Sequence, residues 1–149
     1  MPVSILPASA QESRIVLGDT YRFLQTGAET GGAFSFVEII GNPGSFVPPH
    51  FHAREDEAFH ILEGQVEVTD ASGTHIAGPG DSIFLPKGEI HGWRIYGDVP
   101  ARFYLHAVPA GIEDMFYEMS EVAAGPPDPA VLVPLCARYG ITILPPPEG

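Results

Sequence analysis

The feature that most constrains the fold lies in residues 44–91, where glycines and prolines separate short runs of β-branched and aromatic residues. Runs of this length and composition are typical of strands, and the residues between them are typical of turns. The same punctuation continues along the chain, which has 17 glycines and 16 prolines among its 149 residues. The pattern predicts a single, turn-rich, all-β domain.

Four side chains in this stretch have the spacing of a metal site. His50 and His52 are two residues apart, so on a strand they face the same side and lie about 7 Å apart. The polar run 53–56 predicts a turn, which lets Glu57 begin the next strand facing inward. A second turn at 86–88 lets His91 open a further strand. The spacing predicts that all four side chains meet inside a small antiparallel barrel.

Three imidazoles and one carboxylate form a borderline-hard donor set. Such a set suits Fe, Mn, Co, Ni, Cu or Zn better than Ca or Mg, so we expect one divalent transition ion of unassigned identity. An octahedral ion with four protein ligands keeps positions for water, dioxygen or a substrate oxygen. Glu57 is therefore a candidate both as a ligand and as a catalytic base for a substrate hydroxyl.

The same residues resemble the two sequence motifs of the cupin superfamily. The first motif, G-x5-H-x-H-x4-E-x6-G, matches Gly44, His50, His52, Glu57 and Gly64. The second, G-x5-P-x-G-x2-H-x3-N, matches Gly80, Pro86, Gly88 and His91, with Ile95 in place of the usual Asn. The resemblance implies the cupin double-sheet jelly-roll β-barrel.

A narrower resemblance extends beyond the motifs. The segments TGGAFSFVEII, HAREDEAFHILEG, PAGIEDMFYEMS and RYGITILPPP are similar to single-domain bacterial cupins of the quercetinase-like group. That resemblance implies a divalent-metal dioxygenase acting on a flavonol-like or other enol-bearing small molecule. Two alternatives stay open: a metal-dependent isomerase, lyase or hydrolase acting on a sugar or small acid, and a non-enzymatic module that binds a metal or small ligand.

Strand-like runs and helical periodicity divide the chain into three parts. We predict an extended N-terminal arm over residues 1–18, the cupin barrel over 19–109, and a C-terminal helical tail over 110–149 packed on the barrel. Within the tail, apolar residues at helical spacing predict a helix over 112–122. Asp128 and Pro129 predict the start of a second helix that Gly140 ends. The final segment, 143–149, is expected to be extended.

Three apolar residues share the inward parity of the predicted ligands. Phe59, Ile61 and Trp93 are candidates for a substrate pocket, although packing in the barrel core is the alternative role for each. An apolar pocket suits an aromatic or enolic substrate better than a free sugar. The other histidines, His60, His75 and His106, are not expected to be ligands.

Charge and composition exclude several classes of partner. The net charge of −12, with Lys87 as the only lysine, argues against nucleic acid and anionic membranes. Cys136 is the only cysteine, so no intrachain disulfide forms, and the N-terminal segment lacks the pattern of a signal peptide. We expect a cytoplasmic protein. The cupin resemblance implies a homodimer, for which the apolar arm and an open sheet edge offer contact surface.

Overall fold

The structure is a computed structural model that describes residues 1–122 and 128–146. Eleven strands run antiparallel within the described residues: β1 Ser13–Val16, β2 Asp19–Gln25, β3 Ser35–Gly41, β4 Phe46–His52, β5 Asp56–Glu63, β6 Gln65–Asp70, β7 Gly73–Ala77, β8 Ser82–Leu85, β9 His91–Tyr96, β10 Ala101–Val108 and β11 Ile141–Ile143.

The strands form two sheets that face each other. One sheet has the order β1-β2-β3-β10-β5-β8, and the other has the order β11-β4-β9-β6-β7. Neighbours in each sheet are mostly not neighbours in sequence, because the chain crosses repeatedly from one sheet to the other. This arrangement is a double-sheet jelly roll, and it confirms the all-β fold class predicted from the sequence.

The core lies between the two sheets and follows the alternation of the strands. On β10, Ala101, Phe103, Leu105 and Ala107 are buried, and the residues between them are more exposed. Phe103 contacts Phe59 and Trp93, with ring centroids 5.1 and 5.6 Å away. Period-two burial of this kind is what a strand with one face on a core requires.

One motif glycine shows why the motif needs that residue. Gly64 joins β5 to β6 with φ +74°, in the left-handed region that side chains disfavour. A Cβ at Gly64 would also lie 2.7 Å from the Cα of Ala101 and would collide with the Pro100 carbonyl. The turn that carries the chain from β5 in one sheet to β6 in the other therefore depends on glycine at this point.

The sheets extend beyond the predicted barrel limits of 19–109. β1 lies within the predicted arm and pairs with β2, while β11 lies within the predicted tail and pairs with β4. Both are edge strands, of 4 and 3 residues, and runs this short do not show a recognisable alternation in the sequence. The arm also holds a 3₁₀ turn at Ala8–Ala10.

The helices cover one side of the barrel. A short helix, α1 Gly27–Thr30, which the sequence analysis did not predict, begins at a capping box formed by Thr26 and Glu29. The two predicted helices are present as α2 Ile112–Ser120 and α3 Pro129–Arg138, the latter capped by Asp128.

Helix α2 is fixed to the barrel by aromatic contacts. Phe116 meets Tyr21 edge-to-face, with ring centroids 4.8 Å apart, and Tyr117 stacks on Phe23, with ring centroids 4.4 Å apart.

Residues 123–127 and 147–149, including the end of the segment predicted to be extended, lie outside the described residues. Among the helices that are described, none is both long and apolar enough to cross a membrane.

Candidate metal centre

The structure brings the four predicted ligands together. His50 on β4 lies directly opposite His91 on β9, and His52 follows on the same face of β4. Glu57 comes from β5, which belongs to the other sheet. The four side chains are 3–5% exposed, and each offers one ligand atom within 4.8 Å of the others. The cluster therefore bridges the two sheets in the barrel interior.

The donor atoms of the four side chains converge on one point in the interior. His50 Nε2 lies 3.1 Å from His52 Nε2, and Glu57 Oε1 lies 2.5 Å from His52 Nε2. Glu57 Oε1 and His91 Nε2 are buried without a hydrogen bond of acceptable geometry. Buried polar atoms normally have partners. Three imidazole nitrogens and a carboxylate oxygen that converge in this way fit a transition ion, which would satisfy all of them.

The opposite edge of each imidazole fixes its orientation. His50 Nδ1 donates to the Pro48 carbonyl at 2.8 Å, and His91 Nδ1 donates to the Glu89 carbonyl at 3.2 Å. Because a carbonyl only accepts, both rings carry their proton on Nδ1. Their Nε2 lone pairs are left for the interior, as in metal-binding histidines.

An irregularity in β4 supplies one of these carbonyls. The register between β4 and β9 shifts between Val47 and His50, at the two prolines of the strand. Proline has no N–H for the ladder, so such a pair favours an irregular register. Gly92 lies against this point, and a Cβ there would be 3.2 Å from Pro49 N and Val47 O. The close approach of the two strands beside His91 therefore depends on Gly92.

Burial and neighbouring charges shift the pKa values of the three histidines in different directions. Burial, together with the charge of His91, lowers the pKa of His50 to about 4, and burial also lowers the pKa of His91. Burial acts in the same direction on His52, but the carboxylates beside it outweigh burial and raise its pKa to about 9. Burial opposes ionisation of Glu57, yet its interactions with the imidazoles lower its pKa overall.

Two buried residues beside the cluster were missed by the sequence reasoning. Glu55, inside the predicted polar turn, is 3% exposed and lies 3.3 Å from His52 Nδ1. Nothing in the turn pattern distinguished Glu55 from its less buried neighbours. Tyr21 is buried on β2, and burial raises its pKa, with further contributions from Asp19 and Glu57. The alternation of β2 was the available signal for Tyr21.

The three candidate pocket residues lie in the closed core. Phe59, Ile61 and Trp93 are 1%, 0% and 7% exposed, and a role in binding substrate stays a prediction. A cavity of about 480 Å³ lies elsewhere, between the edge strands β7 and β8, and His91 forms part of its wall. Leu85 and Ile83 give this cavity apolar walls, while its carboxylates come from Asp70, Asp81 and Glu89.

The remaining histidines lie away from the cluster. His60 is exposed and contacts Ser82 Oγ at 3.0 Å, on the outer face of β5. His75 is exposed beside Asp70, and His106 packs edge-to-face on Phe34. Their positions agree with the expectation that they are not ligands.

The structure combines a two-sheet jelly roll with a buried His, His, Glu, His cluster able to bind a metal ion. In agreement, residues 38–108 match the family model for the cupin domain, Cupin_2. The solved structure of the polyketide cyclase RemF from Streptomyces resistomycificus is similar, with 25% identity and a TM-score of 0.61. The match covers 72% of this chain and 80% of RemF.

The matches to curated relatives cover smaller shares of the two chains. The protein SchB of Streptomyces halstedii is 29% identical over 93 residues, which are 62% of this chain and 67% of SchB. Quercetin 2,3-dioxygenase of Bacillus subtilis is 29% identical over 72 residues, which are 48% of this chain and only 21% of that enzyme. The chain thus spans about a fifth of the dioxygenase, and the quercetinase-like subtype stays a prediction.

Proposed function

We propose that this chain is a metal-dependent enzyme whose centre binds one divalent transition ion through His50, His52, Glu57 and His91. The observation that carries the proposal is the convergence of four buried donor atoms within 4.8 Å, two of them without a hydrogen-bond partner. A purely structural cluster would give Glu57 Oε1 and His91 Nε2 hydrogen bonds of acceptable geometry, because an unpaired buried polar atom costs free energy. Fe, Mn, Ni, Co, Cu and Zn all suit the donor set.

The reaction we propose is dioxygen-dependent cleavage of a flavonol-like or other enol-bearing small molecule. A bound divalent ion acts as a Lewis acid that favours ionisation of an enol or phenol oxygen. Glu57 lies at the cluster with its pKa lowered, so it is an anion at neutral pH and is able to accept the hydroxyl proton. The similarity to quercetin 2,3-dioxygenase supports this chemistry over a limited stretch.

The cavity between β7 and β8 supports a neutral small molecule as substrate. Its volume of about 480 Å³ lies in the range of small-ligand sites. The carboxylates of Asp70, Asp81 and Glu89 in its lining disfavour anionic substrates. Since His91 is part of the wall, we propose this cavity as the approach to the metal centre.

Oxygen uptake by metal-loaded protein tests the reaction. We expect uptake with at least one member of a panel of flavonols and other enolic or phenolic compounds. Glu57→Gln should abolish uptake even in samples that retain some metal. Glu63→Gln is the matched control, because Glu63 lies on the same strand with a side chain 67% exposed and loses the same charge. A metal-replete protein that consumes no oxygen with any compound of the panel refutes the oxygenase.

A second candidate is a metal-dependent cyclase that uses the same enolate chemistry without oxygen. The similarity to the polyketide cyclase RemF, over 72% of this chain, favours it specifically. The two candidates differ in one observable, because cyclisation of a poly-β-keto compound proceeds under anaerobic conditions. Anaerobic turnover that is lost in His50→Ala supports the cyclase. An isomerase, lyase or hydrolase would also work anaerobically, and the structure of the product distinguishes it.

A further inference from the structure

The carboxylate of Glu55 is buried beside the candidate metal centre. Its residue is 3% exposed, and its Oε2 lies 3.3 Å from His52 Nδ1. A buried carboxylate is costly unless a partner compensates it. Here the partner is the edge of the imidazole that faces away from the cluster. Glu55 and Glu57 therefore contact the two ring nitrogens of one histidine from opposite sides.

His52 differs in this respect from the other two imidazoles. The Nδ1 atoms of His50 and His91 donate to main-chain carbonyls, which are neutral acceptors. His52 alone among the three has an anionic acceptor at Nδ1. A carboxylate at that position holds the proton on Nδ1 and increases the donor strength of Nε2.

The loop that carries Glu55 is fixed on both sides. Ala53 N–H donates to the Gly140 carbonyl at 2.8 Å, next to β11. Lys87 N–H donates to Asp56 Oδ1 at 2.9 Å, and Gly88 N–H donates to the His52 carbonyl at 2.8 Å. The carboxylate is thus held against His52 by main-chain contacts from two other segments, rather than by a freely rotating surface loop.

We propose that Glu55 is a positioning residue of the metal centre, which holds His52 in the Nδ1–H form with Nε2 directed at the ion. With Glu57 it also places two negative charges around the site, which balance the charge of a divalent ion. The inference rests on the proposed metal binding and extends it to a residue that does not touch the ion. It implies that the three imidazoles differ in donor strength towards the ion and that His52 is the strongest donor.

Two substitutions separate the charge of Glu55 from its hydrogen bond. Glu55→Gln keeps an acceptor for Nδ1–H but removes the charge, whereas Glu55→Met keeps the volume and removes both. Glu63→Gln is the matched control, since it makes the same change of charge at a side chain that is 67% exposed and contacts Arg102 rather than an imidazole. The affinities for Co²⁺ and Zn²⁺ are measured by competition with a chelator, together with the visible absorption of the Co²⁺ protein.

We expect the affinity to fall about tenfold in Glu55→Gln and about a hundredfold in Glu55→Met, the range seen when partners of metal-bound histidines are removed. The Co²⁺ absorption bands should shift in both variants, and Glu63→Gln should match the wild type. A merely structural role would lower the unfolding midpoint without moving the Co²⁺ bands of folded protein. If Glu55→Met fails to fold, Glu55→Gln decides alone.

The experiment distinguishes failure of the inference about Glu55 from failure of the proposed metal centre. If the wild type binds Co²⁺ and Glu55→Gln does so with the same affinity and spectrum, the inference about Glu55 is wrong while the metal centre stands. If the wild type binds neither Co²⁺ nor Zn²⁺, the proposed metal centre is wrong and the role of Glu55 is refuted with it.

Discussion

Glu57 Oε1 lies 2.5 Å from His52 Nε2, although the two residues belong to strands of opposite sheets. The turn at residues 53–55 carries the chain from β4 in one sheet to β5 in the other. The carboxylate of one sheet thus contacts an imidazole of the other sheet in the barrel interior, beside the two further imidazoles of the cluster. The centre therefore depends on how the sheets stack as well as on the motif residues.

Loss of a single ligand should empty the centre. His50→Ala and His91→Ala each remove one of four donors, and we expect bound metal, measured by elemental analysis of protein purified without a chelating tag, to fall sharply. His60→Ala is the control, because His60 is exposed on the outer face of the barrel. Wild-type metal content in both ligand variants would show that the assignment is wrong.

Metal uptake should release a proton near neutral pH. In the metal-free protein the pKa of His52 is raised to about 9, because its carboxylate partners outweigh the effect of burial. His52 is therefore protonated below that pH, and an ion must displace its proton. The pKa of His50 is lowered to about 4, so His50 is already neutral. Affinity should thus increase as pH rises towards about 9 and then level off.

Calorimetry measures this proton directly. Titration with Zn²⁺ in two buffers of different ionisation enthalpy should give different apparent enthalpies, in proportion to the proton released. Identical enthalpies in both buffers near neutral pH would contradict the raised pKa of His52.

A methyl group at Gly92 should disturb the centre through the backbone. Its Cβ would lie 3.2 Å from Pro49 N and Val47 O, so β4 must move away from β9 by a small distance. We expect Gly92→Ala to lower the free energy of unfolding by about 1–3 kcal/mol and to weaken metal binding. Gly78→Ala is the control, since the nearest atom to its Cβ would be 4.0 Å away. Urea unfolding and chelator competition measure the two effects, and equal stability of both variants would refute the prediction.

The expected homodimer is tested by light scattering. The N-terminal arm exposes Val3 and Ile5 at 97% and 85%, which is apolar surface available to a second copy. We expect a mass of twice the 15.9 kDa of the chain. Replacing both residues with Asp should shift the protein towards the monomer, whereas Ser4→Asp adds a charge without removing an apolar side chain. A monomeric mass for the wild type at every workable concentration would show that the prediction is wrong.

The all-β class and the four residues of the cluster were predictable from residue patterns in the sequence, and the jelly roll was implied by the motif resemblance. Period-two burial and turn glycines are local properties, and Gly44, Gly64, Gly80 and Gly88 all adopt positive φ where the motifs place them. The spacing of His50 and His52 places them on one face of β4 by strand geometry alone. These features follow from short-range sterics and alternation, which a sequence states directly.

The other residues at the site could not be predicted from the sequence, because long-range contacts bring them there. Glu55 belongs to a turn that looks solvated in sequence, and it is buried because contacts from Gly140, Lys87 and Gly88 hold that turn against the barrel. The pairing of β11 with β4 joins residues about 90 positions apart, a separation at which local propensity carries no information. Long-range packing, which no single segment encodes, sets the surroundings of His52 and the opening between β7 and β8.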